Sequence, residues 1–252
     1  MLTTSHSLEL VGAGVTAGLV GSAGGITSLV SYPALLAVGL PGLSANIANN
    51  VALVACWPGS AAASQPELRG AGSWLWRFTM VTAVGAAAGA ALLLATPSGL
   101  FARIVPFLVA AGSLSLLLQP RLTAWRDRRG GGASPFAFGA GLLALAIYNG
   151  YFGAGAGVMI FTLVLVLVEP RLPTANALKN MLVGAASLVS VAIFAIAGSV
   201  DWDAAAPLAL GMLVGSNLGP RVARRVPGRL LRWIIVILGM ALAVQLWLHP
   251  GS

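Results

Sequence analysis

Read from its N-terminus, the chain is a succession of long apolar runs separated by short polar ones. Apolar segments fall at residues 8–40, 44–64, 74–96, 98–119, 135–169, 174–198, 204–220 and 229–248. Several reach the ~20 residues that a helix needs to cross a bilayer. Runs such as "FTLVLVLV" and "LRWIIVILGMALAVQLWL" are apolar on every side and lack the alternation of a barrel strand. The pattern predicts an all-α polytopic membrane protein. Segments 8–40 and 135–169 are too long for one crossing and too short for two. Each is interrupted by glycines, "GSAGG" at Gly21–Gly25 and "GAGAG" at Gly153–Gly157. Glycine in a helix interior costs ~1 kcal/mol relative to alanine, so each segment is expected to fold as a hairpin of two short helices. Such breaks survive at membrane depth only when buried in protein or lining a cavity.

The segments also repeat. A basic, glycine-rich stretch at 121–134 divides them four and four, giving a first membrane unit (1–120), a linker (121–134) and a second membrane unit (135–252). Ala45, Asn46 and Asn50 recur as Ala175, Asn176 and Asn180, an offset of 130, and Gly85, Gly89 and Arg103 recur as Gly211, Gly215 and Arg229, an offset of 126. Arg69 and Arg77 flank a basic loop, whereas its counterpart "VDWD" carries Asp201 and Asp203. The positive-inside rule puts the first in the cytoplasm and, by alternation, the second outside. The units are therefore expected to be inverted-topology repeats, each a broken-helix hairpin plus three transmembrane helices.

Composition agrees: 58% of residues are hydrophobic and 8% charged, against roughly 25% charged in soluble domains. The net charge of +8 is concentrated in Arg121, Arg126, Arg128 and Arg129 and in Arg221, Arg224, Arg225, Arg229 and Arg232. Loops at 121–129 and 221–232 are thus expected to be cytoplasmic and to meet anionic lipid rather than nucleic acid. The lone Cys56 excludes an internal disulfide and reads as a small core residue. His6 and His249 sit at the two ends, which argues against a metal centre or histidine-based catalysis; no cofactor is implied. "MLTTSHSLEL" has no basic residue, so a cleavable signal peptide is not expected. Trp74, Trp76, Trp202, Trp233 and Trp247 lie near segment ends and read as interfacial anchors.

Candidate chemistry centres on the breaks and on one charge. Helices restarting after Gly25 and Gly155 would offer unpaired backbone N–H groups to an anion, around Gly24, Gly25, Thr27 and Ser28 in one hairpin and Gly155 and Gly157 in the other. Close helix packing is the competing explanation of these glycines. Thirteen arginines accompany a single lysine, Lys179, within "NALKN". Helical spacing puts Asn176, Lys179 and Asn180 on one face and Asn46, Asn49 and Asn50 on the matching face of the other repeat. This predicts an amide-lined cavity with one positive charge; the alternative is a lysine that snorkels to the interface. Tyr148 and Asn149, with Tyr151, could add hydrogen bonds or simply pack.

On these residues, "GLVGSAGGITSLVSYPALLAVGLP" with "ANIANNVAL" and "YNGYFGAGAG" with "NALKN", the chain resembles the sulfite exporter TauE/SafE family along nearly its whole length. That resemblance implies a bacterial inner-membrane transporter, not an enzyme, exporting sulfite or small organosulfonate anions by alternating access. A passive small-anion channel is the other reading of the same lining. The acids Glu9, Glu67, Asp127, Glu169, Asp201 and Asp203 fall at segment ends or in loops, which favours uniport or anion exchange; Glu169, closing the second hairpin, is the exception to watch. Lipid and a small oxyanion are the expected partners, and the sequence leaves room for a homo-oligomer.

Overall fold

A computed structural model of the protein describes residues 4–129, 134–197 and 200–223. These residues form helices and no strands. In chain order the helices are α1 (Thr4–Gly24), α2 (Ser28–Ala37), α3 (Gly42–Leu53), α4 (Cys56–Ala63), α5 (Gln65–Leu68), α6 (Gly72–Ala95), α7 (Ser98–Arg129), α8 (Pro135–Tyr151), α9 (Ala156–Leu167), α10 (Leu172–Ile196) and α11 (Trp202–Ala223). Helices α6 and α10 are long and apolar enough to cross a membrane. Leu8, Trp76, Val84, Phe107, Phe136, Ile196, Leu210 and Val214 are all exposed, an apolar surface that a chain in water would have to cover.

Both long apolar segments break at the glycines. The first becomes α1 and α2, the second α8 and α9. Gly25 (φ 83°) and Gly155 (φ 78°) take the left-handed backbone that turns the chain at each break, a conformation costly for residues with a Cβ. Segment 44–64 is also broken, into α3 and α4. The break precedes Pro58, in the first turn of α4, where the missing N–H has no helical partner to lose. Helix α7 runs through Arg129 and so carries helix into the stretch read as linker. The segment 229–248, Trp233, Trp247, His249, linker residues 130–133 and Arg224, Arg225, Arg229 and Arg232 lie outside the described residues.

The packing is reciprocal between the halves. Helix α1 lies along α11, and α8 lies along α6. Small residues permit each approach: a Cβ on Gly215 of α11 would come 2.9 Å from Leu19 N of α1, and one on Gly89 of α6 would come 2.8 Å from Tyr151 N of α8. Both sites belong to a Gly-xxx-Gly pair, Gly85/Gly89 and Gly211/Gly215, the spacing that lets membrane helices meet backbone to backbone. Trp76 and Trp202 lie within the first two turns of α6 and α11 and are exposed; Trp74 instead packs against Phe78 and Phe138, with ring centroids 4.9 and 5.5 Å away.

Candidate functional site

The two breaks meet. Gly25 lies against Gly157 so closely that a Cβ on Gly25 would stand 2.6 Å from the Gly157 carbonyl carbon, and a Cβ on Gly157 would stand 2.9 Å from that of Gly25. Only glycine at both positions allows this contact. Beside it opens a cavity of about 40 Å³, bounded by the α1–α2 break, α4, the α8–α9 break and α10. That is room for roughly three water molecules, or one small anion. Gly25, Thr27, Ser28, Asn149, Gly157, Lys179 and Asn180, all expected from the sequence, line it.

Lys179 is 2% exposed. Its Nζ donates to the Gly21 carbonyl at 3.2 Å, an oxygen that also accepts from Gly25 N at 2.6 Å, near the C-terminal end of α1, where the helix dipole favours a cation. The ammonium has three N–H groups, and this bond uses one. Among the described residues no carboxylate pairs with it. Lys179 therefore does not snorkel to the surface; its amine stands on the wall of the cavity with no carboxylate partner among the described residues.

The asparagines divide between lining and clamping. Asn176 Nδ2 donates to Ser22 O at 2.9 Å and Asn180 Nδ2 to the same oxygen at 3.2 Å. In the other half Asn46 Nδ2 donates to Tyr151 O at 2.9 Å. An asparagine of each half thus donates to a carbonyl at the broken helix end of the other half's hairpin. Asn50 Nδ2 donates to Asn46 O at 3.0 Å. Asn49 Nδ2 donates to Ser28 Oγ at 3.0 Å, while Asn49 Oδ1 accepts from Ser31 Oγ. Tyr148 shares its hydroxyl proton between Ala154 O (2.7 Å) and Leu108 O (3.0 Å). Asn46, Asn49, Asn50, Tyr148, Gly155 and Asn176 do not line the cavity; most build its frame. Asn49, the sequence counterpart of Lys179, points its amide into this framework rather than opposite the lysine.

Sequence reasoning missed the wall supplied by α4. Cys56, Trp57 and Ser60 face the cavity together with Gly184 of α10. The signal was the "CWPG" run, whose Trp–Pro–Gly order inside an apolar segment marks a helix restart. Glu169 stands outside the site, paired with Arg171 at 3.0 Å on the surface. By hydrogen bond and charge, Glu169 raises the Arg171 guanidinium above its usual value, so the arginine stays ionised.

A helical membrane protein with two broken hairpins meeting at a buried charge has the makings of a transporter, and the comparisons agree. A family model, sulfite exporter TauE/SafE, matches residues 10–246; the chain belongs to this family. It is 27% identical to a probable membrane transporter protein of Haemophilus influenzae, covering 94% of each chain. Against one from Sinorhizobium sp. it is 27% identical over 93% of this chain and 89% of the relative. Against the probable membrane transporter protein YfcA of Escherichia coli it is 28% identical over 91% of this chain and 85% of the relative. No solved structure matches the chain. Family and relatives alike are named as transporters rather than enzymes.

Proposed function

We propose that this protein is a secondary transporter that exports sulfite or a small organosulfonate across the bacterial inner membrane by alternating access. One observation carries the reading: the buried ammonium of Lys179 stands without a counter-ion on a cavity at which both hairpin breaks meet. A charge so placed is expensive, and a bound anion offsets that cost. The starts of α2 and α9, both beside the cavity, add the positive ends of two helices. A cavity of about 40 Å³ suits one small ion rather than a file of them, which favours a carrier over the channel alternative. The family name supplies sulfite as the first substrate to try.

Alternating access requires two bundles that rock about a central site. The reciprocal packing of α1 on α11 and α8 on α6 is the exchange that inverted repeats would give, each bundle then mixing helices of both halves, with the arginine-rich stretches at 121–129 and 221–232 cytoplasmic. The test is sulfite uptake into proteoliposomes of purified protein, with sulfate and methanesulfonate as competitors. Saturable uptake that sulfite itself inhibits best is expected. Uptake no greater than in empty vesicles would reject sulfite, and flux that never saturates would favour the channel.

A further inference from the structure

Trp57 is the residue of the cavity wall whose chemistry nothing yet uses. Its indole Nε1 is buried and finds no acceptor among the described residues. A buried donor left unpaired costs about as much as a lost hydrogen bond, and native proteins rarely keep one without a reason. Other buried polar atoms share that condition, Thr162 Oγ1, Asn176 Oδ1, Ser187 Oγ and Ser190 Oγ, yet none of those residues lines the cavity. The indole also differs in kind: it is a donor only, and cannot turn a hydroxyl back onto its own helix as serine and threonine do.

The position of this ring is set by an absence opposite it. Gly184 lies on α10, and a Cβ there would come 2.9 Å from Trp57 Cβ and closer still to Cγ and to Cδ1, the ring carbon bonded to Nε1. The missing side chain on α10 therefore leaves the space that the indole edge of α4 fills. Five residues earlier on the same helix stands Lys179, and both Lys179 and Trp57 border the one cavity. Lys179 and an indole whose N–H has no acceptor among the described residues thus stand on two helices around one small space, two donor groups that a ligand with more than one acceptor atom would suit.

We propose that Trp57 is a substrate-contacting residue: its indole N–H, seated by Gly184, donates to one oxygen of the anion whose charge Lys179 neutralises. This rests on the anion-site reading above and extends it to the ligand class. Two donors on different helices fit an oxyanion that presents at least two unprotonated oxygens, as sulfite and sulfonates do.

The test labels the seven tryptophans with ¹⁵N at the indole and follows their N–H resonances in full-length protein in nanodiscs during a sulfite titration. Trp57→Phe assigns the resonance by its loss. The Trp57 signal is expected to move downfield and saturate, while those of the outward-facing Trp76 and Trp202 stay in place. Trp57→Phe, which keeps an aromatic ring but removes the donor, is expected to weaken sulfite affinity roughly tenfold or more, as for hydrogen bonds to charged groups. Gly184→Ala is expected to shift the same resonance before any ligand is added and to weaken affinity less. If Trp57→Phe does not fold, that Gly184→Ala shift provides the assignment and the titration decides alone. Saturation with the Trp57 signal unmoved, or wild-type affinity in Trp57→Phe, overturns the proposal and leaves the anion site standing. Failure of wild-type protein to bind sulfite, sulfate or methanesulfonate overturns both.

Discussion

Lys179 serves two parties. Toward α1 it donates to the Gly21 carbonyl, which Gly25 N also reaches, and on the proposed reading it offers its remaining N–H groups and its charge toward the cavity. The asparagines act differently, because their N–H groups are committed to Ser22 O and Tyr151 O. Removing Asn46 leaves Tyr151 O short of its amide partner, a loss of about 1–3 kcal/mol, whereas removing Asn176 leaves Ser22 O still held by Asn180. Asn46→Ala is expected to lower the melting temperature by roughly 2–10 °C and Asn176→Ala by less, as thermal unfolding in detergent would show. Sulfite affinity should change less in either variant than when Lys179 is neutralised. Equal losses at all three positions would mean that the asparagines bind substrate directly.

Among the elements, the hairpins and the helix crossings carry the architecture. Gly25→Ala meets both a left-handed φ of 83° and the backbone of Gly157 2.6 Å away; little monodisperse protein is expected from it on size exclusion. Gly89→Leu and Gly215→Leu should each separate one helix pair, α6 from α8 and α11 from α1, and impair assembly similarly. A well-behaved Gly215→Leu would show that α11 does not need its close approach to α1. The hairpins were legible in the sequence because their segments had the wrong length for any whole number of crossings and held glycines at mid-depth. The α3–α4 break was not, because segment 44–64 has an ordinary span length and its single proline falls where a helix start tolerates one. Trp57, Cys56 and Gly184 were missed with it: they become neighbours only once α4 turns away from α3 and packs against α10. The asparagines were found, but the partners of their amides, carbonyls some 105 and 154 residues away, are a product of tertiary packing that no local spacing reveals.

For the molecule as a whole, the proposed inversion has its own test. Trp76 and Trp202 sit at corresponding positions of the two halves, exposed within the first two turns of α6 and α11. In inverted repeats those turns lie at opposite membrane faces. Single cysteines at Trp76→Cys and Trp202→Cys, in a Cys56→Ala background, should therefore react with an impermeant maleimide from opposite sides, the first from the cytoplasm. Labelling of both from one side would exclude inverted topology and with it the rocking mechanism. On the proposed reading, the lone lysine beside the broken hairpins is a single fixed charge that binds a small oxyanion. The most direct measurement of that claim is radiolabelled sulfite uptake by wild-type and Lys179→Met proteoliposomes compared at equal protein content. Methionine keeps the length and bulk of the side chain while removing the charge. Saturable uptake in the wild type that falls at least about a hundredfold in the variant, with the variant still monodisperse, is the predicted result. Equal flux and equal half-saturation in the two would contradict it.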